Sequence, residues 1–254
     1  MPCSIWRRRA PLACAVAFAA LAALPARADQ LATVATFTGT NGAGPYAGLI
    51  DVGGTLYGTT AFCGGGANDG TVFSLDPTSG ATTALASFNG VNGAAPFAAL
   101  LDVGGTFYGT TVGGGSAHDG TVFSLNPTSR TLATVATFNG TNGVDPYAGL
   151  IDVGGTLYGT TTGATGDGTL FSLNPTTGAL STLASFTGSN GANPYAGLIS
   201  VGGTLYGTTK GGGSAGDGTV FSYDTNASVP EPASLVLLGA GAVGLLGVRR
   251  RPRG

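Results

Sequence analysis

Short apolar runs alternate with Thr, Ser and Gly along the chain, and the alternation repeats. Gly-Thr-(Leu/Phe)-Tyr-Gly-Thr-Thr recurs with its Tyr at Tyr57, Tyr108, Tyr158 and Tyr206, in steps of 51, 50 and 48 residues. A second phrase, Asp-Gly-Thr-(Val/Leu)-Phe-Ser, starts at Asp69, Asp119, Asp167 and Asp217, and a third, Asn-Gly-x-x-Pro-(Tyr/Phe)-Ala, at Asn41, Asn92, Asn142 and Asn190. Each copy reads as four strands, which in the first are Tyr46–Val52, Thr55–Thr60, Thr71–Leu75 and Thr82–Phe88. Gly53-Gly54, Asn68-Asp69-Gly70 and Asp76-Pro77-Thr78-Ser79-Gly80 supply turns between them. No stretch outside the two termini has helical periodicity. Four strands in a period near fifty residues is the content of a propeller blade.

The register of the ends predicts how such blades would close. The body opens with Leu31–Phe37, which matches the fourth strands, and ends with Thr219–Asp224, which matches the third. The leading strand is the one that the last blade lacks, so pairing them would close a small four-bladed all-β propeller and remove two strand edges. Small pairs in the first strands, Ala47-Gly48, Ala98-Ala99, Ala148-Gly149 and Ala196-Gly197, suit the crowded axis of so small a ring. A β-solenoid is the competing architecture, and under it the complementarity of the ends would be coincidence.

Composition narrows the function classes. Gly contributes 47 of 254 residues and charged residues only 9 %, against about 7 % and 25 % in ordinary soluble domains. Residues 29–228 hold eleven Asp against Arg130 and Lys210, a net of −9, while the ends hold eight Arg. An acidic body repels phosphate backbones, so nucleic acid is not an expected partner.

The basic ends read as processing segments. Residues 1–28 carry Arg7-Arg8-Arg9, an apolar run from Leu12 to Leu24 and then Ala26-Arg27-Ala28, the small-x-small pattern of a signal peptide cleaved between Ala28 and Asp29. Cys3 and Cys14 leave with it, and Cys63 alone remains. Residues 229–254 carry Val229-Pro230-Glu231-Pro232, the uncharged run Ala233–Val248, and an end with Arg249, Arg250, Arg251 and Arg253. As a helix the 16-residue run spans about 24 Å, short of the roughly 30 Å hydrocarbon core. The Arg cluster should stay cytoplasmic and leave the body, residues 29–228, outside.

This tail resembles the PEP-CTERM sorting signal of Gram-negative bacteria. The resemblance implies an exosortase-type processing enzyme as partner, a transient membrane anchor whose segment is removed, and association with exopolysaccharide; a permanent tail anchor is the alternative. The three repeated phrases, over about residues 31–225, resemble the GloVer-type tandem repeats of choice-of-anchor proteins. That second resemblance implies architecture and location rather than a reaction.

Catalytic motifs fail on context. Gly212-Gly213-Ser214-Ala215-Gly216 fits G-x-S-x-G, but the only His, His118, lies upstream in another copy. Gly211, Gly213 and Gly216 fit G-x-G-x-x-G, yet a strand follows where a helix is needed. His118 and Cys63 read as loop side chains, and no copy has a distinctive carboxylate that would make one blade a glycosidase site. The recurring polar residues are Asp69, Asp119, Asp167, Asp217, Asn41, Asn92, Asn142 and Asn190, which a propeller would gather on one face. Turn chemistry accounts for them, and Ca²⁺ or sugar hydroxyls are the ligands such oxygens would suit. The expectation is therefore a secreted, non-enzymatic repeat protein of the envelope or exopolysaccharide matrix, without a cofactor, with weak glycan contacts. A carbohydrate-active propeller enzyme and a Ca²⁺-dependent adhesion module are the alternatives.

Overall fold

The computed structural model describes residues 31–163 and 166–226. The signal segment and the sorting tail with its apolar run lie outside them. The chain divides into Met1–Thr33 and Val34–Gly254, and every sheet lies in the second unit.

The architecture is all-β, built as four successive antiparallel meanders. The first sheet runs β1 (Ile50–Val52), β2 (Thr55–Thr60), β3 (Thr71–Leu75) and β4 (Thr82–Ser87). The second repeats it as β5 (Leu101–Val103), β6 (Thr106–Thr111), β7 (Thr121–Asn126) and β8 (Thr131–Thr137). The third is β9 (Ile151–Val153), β10 (Thr156–Thr161), β11 (Thr169–Leu173) and β12 (Leu180–Ser185). The fourth has three strands, β13 (Ile199–Val201), β14 (Thr204–Thr209) and β15 (Thr219–Asp224). The first strand of each sheet is shorter than its sequence suggests, three residues. A Pro five residues ahead of it removes a ladder donor at each copy's entry.

The core lies between consecutive sheets. Val72, Phe88, Leu100, Phe107, Phe123 and Leu125 fill the space between the first and second, and Val122, Phe138, Leu150, Leu157, Phe171 and Leu173 that between the second and third. A Phe at the end of each fourth strand meets a Phe of the next sheet edge-on, Phe88 on Phe123 at 5.0 Å and Phe138 on Phe171 at 5.2 Å. Each such fully buried side chain contributes about 1.5–3 kcal/mol. Within the sheets, the last Thr of the first phrase meets the Thr of the second: Thr60 with Thr71 at 2.7 Å, Thr111 with Thr121 at 2.8 Å and Thr161 with Thr169 at 2.7 Å. The repeated hydroxyls thus satisfy one another where water cannot reach.

The phrase Asp-Gly is explained by the backbone. Gly120 has φ +100°, and a Cβ there would run into the carbonyl oxygen of Thr111 and the ring of Pro146. Gly70 stands in the same relation to Thr60 and Pro96, and Gly168 to Thr161 and Pro194. The first three Asp-Gly turns are therefore the seats of the next copies' prolines, while Gly218 meets only the Thr209 and Lys210 backbone.

The expected pairing of Leu31–Phe37 with the last sheet is the part of the ring that the described residues do not contain. Residues 31–37 form no strand, and β15 has no neighbour beyond β14. Val34–Phe37 lies instead against the first sheet, with Phe37 edge-on to Phe73 at 5.0 Å. A Cβ at Gly80 would meet the Val34 carbonyl as one at Gly178 would meet that of Val135 in β8. The segment occupies a fourth strand's place against the following sheet without having a sheet of its own.

Candidate functional site

The connections from each fourth strand to the next first strand build the most distinctive surface. Asn92 locks the turn before it, its Oδ1 accepting from the Asn89 amide at 2.9 Å and its Nδ2 donating to the Ser87 carbonyl at 3.5 Å. Asn142 and Asn190 act alike on Asn139 and Thr137, and on Thr187 and Ser185. Asn41 accepts from Thr38 and also donates to Thr82 Oγ1 at 3.2 Å. All four Asn side chains are engaged in holding turns.

Ala95, Asp145 and Asn193 follow, in the left-handed region at φ 56°, 53° and 56°. This conformation costs L residues about 1–2 kcal/mol, and it is held from the preceding copy. The Asp69 carbonyl accepts from Ala95 N at 2.9 Å, that of Asp119 from Asp145 N at 3.1 Å and that of Asp167 from Asn193 N at 2.7 Å. Pro96, Pro146 and Pro194 come next, and then an aromatic ring whose direction this backbone determines.

Those rings form a row. Tyr46 and Phe97 lie 5.0 Å apart, Phe97 and Tyr147 5.5 Å, and Tyr147 and Tyr195 5.1 Å, all tilted. Both ends are open, Tyr46 being 66 % and Tyr195 45 % exposed. Phe62 closes on Tyr46 and Phe97 at 6.0 and 5.8 Å, and Lys210 Nζ lies 5.5 Å from the Tyr195 ring centre. An ammonium over an aromatic face is a favourable pair.

Beside this row the four copies differ most. Gly44, Ala95, Asp145 and Asn193 are equivalent, and their carbonyls accept from Ala61, Val112, Thr162 and Lys210. Phe62 stands where the other copies have Gly113, Gly163 and Gly211. The row is thus apolar around Tyr46 and polar around Tyr147 and Tyr195. Burial, and secondarily the charge of Asp119, holds the Asp145 carboxyl above the usual carboxylate range. Burial, then Asp145, then Tyr195 push the Tyr147 hydroxyl up.

The expected Asp series borders the same connections. Oδ2 of Asp69, Asp119 and Asp167 lies beside Gly90, Gly140 and Gly188, in the turns locked by Asn92, Asn142 and Asn190. Among the described residues Asp217 is exposed with no Asn-locked turn after it, and Asn41 has no Asp-Gly turn before it. The structure therefore joins three Asp–Asn pairs, one per junction between sheets. Among the described residues no three His, Cys, Asp or Glu side chains gather as a metal group. His118 is exposed at φ 63° in the place of Asn68, and Cys63 is a half-buried free thiol. The aromatic row escaped the sequence reading, although the Pro-(Tyr/Phe) of the third phrase and the unlike residues before it were its visible signal.

The Gloeobacter/Verrucomicrobia repeat matches residues 20–164, more than half of the chain, and the PEP-CTERM protein-sorting motif matches residues 228–251. No curated protein is a significant match. Among solved structures the chain is similar to TolB from Acinetobacter baumannii, at 17 % identity and a TM-score of 0.46, over 69 % of this chain and 39 % of that one. It is also similar to a putative 6-phosphogluconolactonase from Bacteroides uniformis, at 17 % and 0.45, over 72 % and 54 %. An α-L-arabinofuranosidase from Clostridium thermocellum matches at 15 % and 0.43, over 72 % and 68 %. The chain spans well under two thirds of the length of the TolB structure.

Proposed function

The chain belongs to the Gloeobacter/Verrucomicrobia repeat family and carries a PEP-CTERM sorting motif, and from that premise we propose that it is a non-enzymatic glycan-holding protein of the cell surface or exopolysaccharide matrix. The sorting motif implies export, recognition by an exosortase-type enzyme and delivery to the cell surface. The observation that carries the finer reading is the row Tyr46, Phe97, Tyr147 and Tyr195 with its polar end at Asp145, Asn193 and Lys210. Aromatic rings offer apolar area to the C–H faces of sugars at low entropic cost, and neighbouring amide, carboxylate and ammonium groups suit sugar hydroxyls. A succession of four rings suits a chain of sugars rather than a single one.

The test is retention of the processed protein on immobilised matrix polysaccharide, with the released sugar assayed in parallel. Retention that falls at least about tenfold in Tyr147→Ala/Tyr195→Ala, with no new reducing ends, supports the reading. New reducing ends would make the protein a carbohydrate-active enzyme. Loss of retention on chelation alone would make it a Ca²⁺-dependent adhesion module. Intact mass of the secreted form tests the sorting step, for which a chain from Asp29 to near Pro232 is expected. A membrane form that keeps Arg249–Arg253 would make the anchor permanent.

A further inference from the structure

The two ends of the row of sheets each leave apolar residues open that are covered at the junctions between sheets. Ile151, Val153, Tyr158 and Leu170, on the trailing face of the third sheet, pack against Leu198 and Leu205 of the fourth. Ile199, Val201, Tyr206 and Val220 hold the same places on the trailing face of the fourth sheet and are exposed, no other described residue covering them. Val220 is 77 % exposed, whereas Val72 and Val122 are at 0 % and Leu170 at 1 %. A groove of about 290 Å³ runs over this face, lined by Ala196, Ile199, Tyr206, Thr208 and Val220. Beside it β15 is an unpaired edge, in a sheet with one strand fewer than the others.

The leading end has the complementary deficit. Leu49 is 48 % exposed, while its equivalents Leu100, Leu150 and Leu198 are at 5, 9 and 8 %. Val34 is half exposed, and Val34–Phe37 has the face contact of a fourth strand but no edge partner. Neither set of residues contains a charge. The aromatic row takes three steps from Tyr46 to Tyr195, with no ring contact from Tyr195 back to Tyr46 among the described residues.

We propose that the trailing face and β15 edge of one copy receive the leading end of a second copy, head to tail, with Val34–Phe37 of the incoming chain as the missing fourth strand. The chain already makes this interface three times between its own sheets, so the second copy needs no new chemistry, only the same residues in the same register. By the register of β7 with β8, where Val122 faces Ala136 and Thr121 faces Thr137, Val220 would face Ala35 and Thr219 would face Thr36 of the incoming copy. A head-to-tail contact closes into a ring of copies or runs on as a filament. Either result buries both open ends and does not depend on glycan binding.

The test mixes two processed proteins, each in a Cys63→Ser background, one with Ala35→Cys and one with Val220→Cys. A reducible heterodimer that forms faster than either homodimer is the expected result. The doubly substituted chain should give covalent oligomers on a non-reducing gel. A doubly substituted chain that oxidises within itself to a monomer would overturn the proposal and make the chain close its own ring. Sedimentation gives the second readout: the unmodified protein is expected as two or more copies, and Val220→Asp should weaken the association at least about tenfold. A protein that sediments as a monomer throughout the micromolar range would also overturn it.

Discussion

Leu31–Phe37 and Leu132–Phe138 are the same seven residues, Leu-Ala-Thr-Val-Ala-Thr-Phe. The second copy is a strand, because β7 lies beside it and pairs with it from Thr121 to Leu125. The first is not a strand, because no edge lies beside it. Val122 and Val220 make the same contrast in side chains, the former wholly buried and the latter open, within the same Thr-Val-Phe-Ser. Intrinsic preference is identical within each pair, so the difference measures what a neighbouring sheet contributes. Strand propensity is largely the chance to fit a paired, half-buried surface.

The largest test of that contrast is substitution of the two valines. Val122→Asp places a charge among Phe138, Leu157 and Leu173 and should cost at least about 3 kcal/mol or prevent folding. At dilutions where the copies are apart, so that Val220 is open, Val220→Asp should destabilise the single chain little, within about 0.5 kcal/mol. Equal losses at both sites in thermal unfolding would mean that the last sheet is covered in solution by the chain itself.

Next in size are the buried hydroxyls. Thr111 Oγ1 bonds to Thr121 Oγ1 at 2.8 Å and the Gly113 carbonyl at 2.9 Å, and accepts from Thr121 N at 3.1 Å. Thr111→Val should therefore destabilise by about 1–3 kcal/mol in chemical denaturation, since its partners stay buried without it. Thr209→Val should cost less, because its pair with Thr219 at 2.9 Å is only part-buried in the open sheet.

Smaller again is the effect of pH at Asp145. Its carboxyl takes a proton more readily in the folded than in the unfolded chain, because burial and Asp119 disfavour the charge. The penalty is therefore fully present at neutral pH, and it is relieved as pH falls through the raised folded value. Asp145→Asn should raise stability at neutral pH and remove this gain on acidification, read as the difference between melting curves at pH 7 and in the carboxylate range. An unchanged difference would mean that the carboxylate is solvated.

The sequence by itself determined the repeat, its four-strand content and the places of the turns, because Gly at positive φ, Thr pairs and alternating apolar residues act locally or between adjacent strands. Strands β2, β3 and β15 begin and end where the pattern puts them. It also determined the address, since the PEP-CTERM motif is read as a linear signal. Only the tertiary structure decided which of two identical heptapeptides became a strand, because a strand edge is offered by a distant segment. It alone placed Tyr46, Phe97, Tyr147 and Tyr195 in one row, and set the unlike residues Asp145, Asn193, Phe62 and Lys210 around it. Those residues lie about fifty positions apart from copy to copy, and the stacking of sheets, each held by the turn before it, is what brings them within one ring of each other.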